Sequence, residues 1–285
     1  MSGGILYPYM QRFIIIILFF ISTQTIEAQT ARSVIDEMIK STNRLKGFTS
    51  IIDKTERIKG ELITQVSAVK VSRFPYQVYV KQLYPKEGIE ILCADGCRKA
   101  LINPNGFPWI NLTLDPYGVL MRKKQHHTVH DSGFDLLVEI LSAEVKERDQ
   151  STVNLELKPD VIYEGIKAYR IEMSNSSYRY INYTVKGNED ITQIAKKLHV
   201  NEYAILEHNK DCSDYEDVKD GQVIKVPSNY ARRMTLFVNK SNKMPLLIRV
   251  FDDKGLFEEY IYRDLVLNPE FAKNEFSENF HDYNF

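Results

Sequence analysis

Tyr169-Arg170-Ile171-Glu172-Met173-Ser174 alternates apolar and polar side chains. Successive side chains of a β-strand point to opposite faces, so this stretch predicts a strand with one buried face and one face in water. Similar strand-like segments, rich in Val, Ile, Tyr and Thr, fill residues 48–120 and return at 234–239, 245–252 and 256–265. Turn residues separate them, as in Asp252-Asp253-Lys254-Gly255, so the pattern predicts many meandering antiparallel strands.

Two segments have helical spacing instead. Apolar residues recur every three or four positions between Val34 and Leu45, and Gly47 supplies a stop signal. Residues 133–147 carry a wide apolar face from Phe134 to Val145. Strands with only a few helices predict an α+β fold.

Composition excludes several classes of protein. The 285 residues are enough for one large domain or two modest ones, and 44% apolar with 26% charged residues is ordinary globular composition. The net charge of −1 gives no overall field that would attract nucleic acid. Three cysteines are too few for a disulfide framework.

One strongly apolar run, residues 13–21, is too short to cross a bilayer but suits the core of a signal peptide. Arg12 precedes it, and a cleavage site after Ala28 makes residues 1–28 the predicted signal peptide, with Met10 an alternative start. The sequence therefore predicts a protein secreted across the inner membrane into the periplasm, with no transmembrane anchor in the mature chain.

Secretion changes the interpretation of Cys93 and Cys97, which flank Ala94-Asp95-Gly96. Asp-Gly favours a hairpin turn, and a three-residue loop would bring the two cysteines together across the strands. A disulfide is one reading and two small buried side chains the other. Cys212 has no evident partner, and the cysteine pairs typical of zinc sites are missing from the sequence.

Residues 183–227 differ from their surroundings. A short strand, Tyr183-Thr184-Val185-Lys186, precedes two helical segments with capping signals at Asp190 and Asn201, and residues 222–227 form a closing strand. This βααβ segment resembles a LysM domain. The motifs that carry the resemblance are Tyr183-Thr184-Val185, Ile194-Ala195-Lys196-Lys197, His199-Val200, Leu206 to Asn209, and residues 221–227.

The resemblance implies binding of N-acetylglucosamine-containing glycans such as peptidoglycan, in a shallow groove between two loops. By position, the groove would be formed by Asn188, Glu189, Asp190, Ile191, Asn209, Lys210 and Asp211. The usual Gly-Asp-Thr start reads Asn188-Glu189-Asp190 here, and the segment carries six Lys against nine Asp and Glu. A spacer or a protein-interaction surface is the alternative.

The remaining chain resembles the domain-of-unknown-function family 1571, within the LolA-like lipoprotein-carrier group. The segments that carry this resemblance are residues 78–81, 85–91, 114–118, 133–139, 258–268 and 276–285. The resemblance implies a curved antiparallel half-barrel with roofing helices, in two parts, 29–180 and 230–285, interrupted by the LysM-like insert 181–229. Such a concave apolar face suits a lipid or lipoprotein acyl chain. Alternatively, the protein's own tail aromatics fill it: Phe271, Phe276, Phe280, Tyr283 and Phe285.

His126, His127, His130 and Asp131 form the only conspicuous candidate for chemistry. In a strand, His126 and His130 would share a face and His127 would point away; in a polar loop, Asp131 or Ser132 would cap the helix that follows.

The leading hypothesis is a non-enzymatic envelope protein without metal or cofactor, which binds peptidoglycan through the insert and a hydrophobic ligand in the half-barrel. The alternatives are a metal-assisted envelope hydrolase using these histidines, or a protein-binding scaffold.

Overall fold

A computed structural model describes residues 29–147 and 151–285, so the predicted signal peptide lies outside the described residues. Eleven strands form one antiparallel sheet: β1 (Gly47–Ile58), β2 (Glu61–Arg73), β3 (Tyr76–Tyr84), β4 (Glu90–Cys93), β5 (Ala100–Asn103), β6 (Leu112–Leu114), β7 (Val153–Tyr163), β8 (Ile166–Asn175), β11 (Arg233–Asn239), β12 (Pro245–Phe251) and β13 (Leu256–Leu267). Two more strands, β9 (Tyr180–Thr184) and β10 (Val223–Pro227), pair with each other.

The helices of the described residues are α1 (Ala31–Asn43), α2 (Val119–Arg122), α3 (Asp135–Ser142), α4 (Ile191–Leu198) and α5 (Glu202–His208). Both long predicted helices are present, with α3 continued by a π-helical turn over Ala143–Glu147. The alternation around Ile171 also appears as predicted, because Tyr169, Ile171 and Met173 are buried while Arg170 and Ser174 are exposed.

The large sheet is strongly curled. Its order is β6-β5-β4-β3-β2-β1-β13-β12-β11-β8-β7, so six strand spacings, about 29 Å along a flat sheet, separate β4 from β11. Ile91 of β4 and Met234 of β11 nevertheless line one common cavity. The sheet must therefore bend around that cavity, which agrees with the expected α+β half-barrel.

Helices α1 and α3 cover part of the inner face of the sheet. Val34, Ile35 and Met38 of α1 are fully buried and pack in one cluster with Leu141 of α3 and with strands β8, β11 and β12. Thr30 caps α1 through a hydrogen bond that Ser33 N donates to its Oγ1, at 3.1 Å. The apolar stripe that predicts each helix is the surface that docks on the sheet.

Residues 180–227 form β9, α4, α5 and β10 in the predicted order, and we call them the βααβ module. Ten buried residues form a core of its own: Val185, Ile191, Ile194, Ala195, Val200, Ile205, Cys212, Tyr215, Ile224 and Val226. The module also packs on the main domain through α5, because Tyr203 and Ala204 belong to the main core. Whether it is a LysM domain stays a prediction.

The tail aromatics cover the outer face of the sheet and do not fill its concave side. Tyr283 stacks on Tyr79 with ring centroids 3.7 Å apart, and Phe280 joins them in a small buried cluster. Tyr79 points away from the cavity, which its neighbour Val80 lines. No tail residue is among the described residues that line the cavity. The concave face is therefore left free of the tail.

Tyr283 offers a test of this packing. Its ring is buried, but its hydroxyl has no hydrogen-bond partner among the described residues. We expect Tyr283→Ala to lower the free energy of unfolding by about 3 kcal/mol, because it leaves a cavity against Tyr79. Tyr283→Phe should be neutral or stabilising, since it removes only an unsatisfied hydroxyl. Urea unfolding followed by circular dichroism measures both, and an equal loss in the two variants would contradict the packing.

The structure joins Cys93 and Cys97 in a disulfide, with their Cα atoms 4.7 Å apart. The expected three-residue hairpin is not formed. Cys93 ends β4, but Cys97 lies in a 3-10 turn, and β5 begins only at Ala100. The bond therefore lies within the connecting loop and does not join facing strands.

Candidate ligand cavity and its buried polar network

A cavity lies between the inner face of the sheet and α3. The space open to the centre of a water molecule is about 180 Å³, roughly twelve times the ~15 Å³ that one water needs. Its wall is mainly apolar, and the apolar side chains come from strands on both halves of the sheet and from α3. They are Ile52, Val69, Val80, Ile91, Met121, Val129, Leu136, Leu137, Ile140, Met234, Ile248 and Val250.

One end of the cavity is polar and charged. Lys54, Gln125, His127, Tyr230 and Glu258 line it. Lys54 Nζ donates to the Gln125 side-chain oxygen at 3.2 Å. Other polar side chains also line the cavity: Gln65, Ser67, Gln82, Thr128, Asp131 and Ser132. A mainly apolar wall with polar and ionised groups fits a ligand with a polar group on an apolar body.

The charged end originates in the register of the sheet. Strands β1 and β13 pair so that Glu56 and Glu258 lie directly opposite each other. Both side chains face inward and are almost fully buried, with residue exposures of 1% and 2%. Two like charges at directly opposed positions repel, so the pair needs compensating positive groups nearby.

Lys54 Nζ lies 3.4 Å from Glu56 Oε2, and His126 and His127 face Glu258. His126 Nδ1 lies 2.9 Å from Glu258 Oε2, and its Nε2 lies 2.9 Å from the Arg57 carbonyl oxygen. Both ring nitrogens of His126 therefore have a polar partner. His127 Nε2 lies 3.2 Å from Glu258 Oε2.

Hydroxyl and amide groups complete the network around the two carboxylates. Tyr230 and Tyr260 each donate a 2.6 Å hydrogen bond, to Glu258 and Glu56 respectively. The backbone N–H of His126 donates to Glu56 at 3.1 Å, and Asn201 of the module lies 3.4 Å from Glu258. Every carboxylate oxygen of the pair thus has a donor, as a stable buried network requires.

The charges shift the pKa of each partner in a consistent direction. Burial alone would raise the pKa of Glu258, but the charges of His127 and His126 and their hydrogen bonds outweigh it and hold that pKa well below its usual range. Burial also lowers the pKa of His127, but Glu258, Asp131 and Glu56 outweigh it and raise the pKa to about 9. Both carboxylates and the His127 imidazolium are therefore charged at neutral pH.

The predicted histidine cluster is not formed. Residues 126–130 belong to a loop and a 3-10 turn, so His126 and His127 both turn to Glu258, while His130 stacks on Tyr117 at 5.0 Å. Asp131 does not cap α3; it accepts hydrogen bonds from the N–H and the hydroxyl of Thr128. The three histidines of the hydrolase alternative do not converge on one point.

A different trio has the spacing of metal ligands. Within the described ranges, Glu56, His127 and Glu258 alone bring three ligand atoms within 4.8 Å of one another. Each of these side chains already has a protein hydrogen-bond partner, so the network is closed by protein groups alone. Sequence reasoning missed both glutamates. One signal in the sequence could have found them. Residues two positions apart in a strand share a face, so Glu258 lies on the same inner face as Tyr260, where a charged residue is unusual.

The predicted glycan-binding residues lie on the βααβ module, and none of them lines the cavity. Asn188, Lys210 and Asp211 are exposed. Asp190 caps α4, and Glu189 forms a 2.7 Å ion pair with Lys197. The side chains of Ile191 and Asn209 make contacts within the module itself. Ile191 is fully buried, so only its backbone could face a ligand, and Asn209 bonds to Ile205 and Lys225.

A second cleft separates the module from the roof of the main domain. The volume open to the centre of a water molecule is about 320 Å³ in this cleft, and residues of α3 and α4 form much of its wall. His127 and Tyr230 line this cleft as well as the cavity. Asn201, which caps α5, lies within 3.3 Å of both His127 Nε2 and the Tyr230 hydroxyl. The polar network therefore forms the partition between the two spaces.

The sequence profile of a family described as "Protein of unknown function (DUF1571)" matches residues 45–188, half of the chain. The chain belongs to the DUF1571 family. The match covers β1 to β9, including α3 and the loop that carries His126 and His127. No curated protein sequence matches the chain significantly.

Solved structures similar to this DUF1571 protein share little sequence with it. Lipoprotein LppX from Mycobacterium tuberculosis is 10% identical, with a TM-score of 0.43, 85% of this chain and 97% of that chain covered. The MucA/MucB complex of Pseudomonas aeruginosa is 12% identical, with a TM-score of 0.43, and the match covers 87% of this chain and 60% of that chain. A LolA-superfamily protein from Nitrosomonas europaea is 12% identical, with a TM-score of 0.32, and the match covers 88% of this chain and 98% of that chain. The DUF1571 chain thus spans about three fifths of the MucB chain.

Within the described ranges, none of the helices has both the length and the apolar character needed to cross a bilayer.

Proposed function

We propose that this DUF1571 protein is a non-enzymatic binding protein of the bacterial cell envelope that holds one apolar chain, such as an acyl chain, in the cavity under α3. The observation that carries the proposal is the cavity itself, with a mainly apolar wall and several polar and ionised side chains. The tail aromatics, which could have filled the concave face, lie on the opposite side of the sheet.

Burial of the ligand's apolar chain supplies the binding free energy. Each methylene that leaves water for an apolar surface contributes about 0.8 kcal/mol. Ten methylenes would therefore contribute ~8 kcal/mol, before the cost of losing translational and rotational freedom. The polar end adds orientation, because a carboxylate or an ester placed there meets Lys54 and Gln125, whose polar side chains line the cavity.

A pair of neighbouring residues on β2 provides a matched test. Ser67 lines the cavity, whereas Ala68 points to the outer face of the same strand. We expect a fluorescent long-chain fatty acid to bind the unmodified protein, and Ser67→Phe to weaken that binding at least about tenfold by filling the cavity. Ala68→Phe should bind like the unmodified protein. Absence of binding to the unmodified protein, or equal loss in both variants, would refute the proposal.

We further propose that the βααβ module holds the protein on peptidoglycan. Support comes from its LysM-like motifs and from a core formed by the module's own residues. The mature protein should sediment with purified peptidoglycan, and Asn188→Ala combined with Lys210→Ala should reduce the retained fraction. No retention, alongside a retained LysM control protein, would remove this part of the proposal. The envelope location rests on the predicted signal peptide.

The metal-assisted hydrolase is the weaker alternative, because the His126, His127 and His130 side chains do not converge. Elemental analysis of the purified protein separates the two functions. Stoichiometric zinc that is lost in His126→Ala combined with His130→Ala would favour the hydrolase.

A further inference from the structure

The two hairpin loops at one end of the sheet expose large apolar side chains. Exposed fractions are 56% for Tyr84, 83% for Phe107, 80% for Trp109 and 64% for Ile110, and Leu83 is exposed by 37%. We call these five residues the aromatic tip. Trp109 is the single tryptophan of the chain.

The two loops form one surface. The β3–β4 connection and the β5–β6 connection lie at the same end because the four strands are successive antiparallel neighbours. Hydrogen bonds join them: Lys86 Nζ donates to the Pro104 carbonyl oxygen at 3.1 Å, and the Asn105 side chain donates to the Glu87 carbonyl oxygen at 2.9 Å. The two loops are therefore neighbours in space.

The fold holds this tip in place without burying its side chains. Trp109 has a φ of +65°, a left-handed conformation that is rare for a bulky residue, and its N–H donates to the Gly106 carbonyl oxygen at 2.7 Å. Strain of this kind persists where the surroundings enforce it, often at binding sites. Because the Trp109 ring remains largely exposed, its contacts within the protein do not offset the free-energy cost of the left-handed backbone conformation.

We propose that the aromatic tip inserts into the interfacial region of a lipid bilayer. Trp and Tyr favour that region, where an apolar ring can enter the hydrocarbon boundary while polar atoms remain hydrated. Residues 85–89 and 104–111 contain only two charged residues, Lys86 and Glu87, whose charges cancel. This neutrality suits a zwitterionic lipid surface and gives no preference for an anionic one.

The size of the tip argues against a protein as its primary partner. Five side chains of this exposure present on the order of 600 Å². Stable protein interfaces bury about 800 Å² on each partner, which is more than these five side chains present. Interfacial insertion needs only a few apolar side chains at a protruding point.

The single tryptophan makes the test local. The mature protein, without the apolar signal peptide of residues 1–28, is titrated with phosphatidylcholine vesicles while the Trp109 emission is recorded. We expect the emission to move to shorter wavelength and to be quenched by lipids that carry a quencher in the acyl chain. Phe107→Ser combined with Ile110→Ser should raise the lipid concentration at half-binding at least about tenfold.

Phe74→Ser is the matched control. Phe74 is 74% exposed in the turn between β2 and β3, at the other end of the sheet. This variant should bind vesicles like the unmodified protein. Three results would each overturn the proposal: neither binding to vesicles nor a shift of the Trp109 emission, sedimentation with vesicles while the emission stays unchanged, or undiminished binding of the double variant. Trp109 does not line the cavity, so its emission reports contact of the tip with lipid and not entry of an acyl chain into the cavity.

Discussion

Replacing Glu258 with alanine is expected to lower the free energy of unfolding by about 3–5 kcal/mol. Glu258 accepts hydrogen bonds from Tyr230, His126 and His127 at 2.6–3.2 Å. Without the carboxylate, two histidines lose a negative partner in a buried site, and the Tyr230 hydroxyl loses its acceptor. Removing one partner of a buried charged network costs more than removing an exposed ion pair, because water cannot reach the groups left behind.

The next residue on the same strand supplies the control. Glu259 pairs with Arg249 on the outer face, where the Arg249 side chain is 41% exposed. Glu259→Ala should cost less than about 1 kcal/mol, since exposed ion pairs contribute little. Urea unfolding followed by circular dichroism compares the two variants. A loss below 1 kcal/mol for Glu258→Ala would show that the network does not stabilise the fold.

Stability is also expected to fall by about 3 kcal/mol as the pH rises from 6.5 to 9. The pKa of His127 is raised to about 9 in the folded protein, against about 6.5 in the unfolded chain. A raised pKa stabilises the folded state fully below the unfolded value, and this stabilisation is lost as pH rises through the folded value. One pKa unit corresponds to about 1.4 kcal/mol.

The two glutamates act at the other end of the pH scale. The pKa values of Glu56 and Glu258 are lowered in the folded protein, so their contribution is present above about pH 4.3 and is lost as the solution becomes more acidic. Stability should thus be greatest between about pH 4.5 and 6.5. His127→Gln should flatten the alkaline slope, whereas the exposed His281→Gln should leave it unchanged. An unchanged slope in His127→Gln would mean that His127 does not cause it.

Local sequence signals predicted the secondary structure because they act over a few residues. The stripe from Val34 to Thr42 is the buried face of α1, and the alternation around Ile171 sets the inward face of β8. Turn chemistry likewise located the hairpin at Asp252–Gly255, but Asp95-Gly96 lies in a 3-10 turn and not in the expected three-residue hairpin. Which face the C-terminal tail covers could not be predicted, because aromatic side chains suit either face of a sheet that is apolar on one side and partly apolar on the other.

The site depends on sequence-distant pairing. Glu56 and Glu258 are opposite only because β1 pairs with β13, and a slip of either strand by one residue would turn its glutamate to the other face. His126, His127 and His130, in contrast, drew attention because they lie within five residues of the sequence. The loop conformation separates His130 from the other two, and it stacks on Tyr117. Without the register of the sheet, the three histidines suggest a metal site; with it, His126 and His127 are partners of the Glu258 carboxylate.

The position of a bound acyl chain tests the central claim most directly. A fatty acid with a nitroxide near the end of its chain is added to the protein, and methyl NMR signals are recorded. We predict selective broadening of Val69, Val80 and Ile248, which line the cavity. Ile194 and Ile205, buried in the module core, serve as the reference and should stay sharp. Broadening of the module methyls, or no broadening at the cavity, would contradict the account.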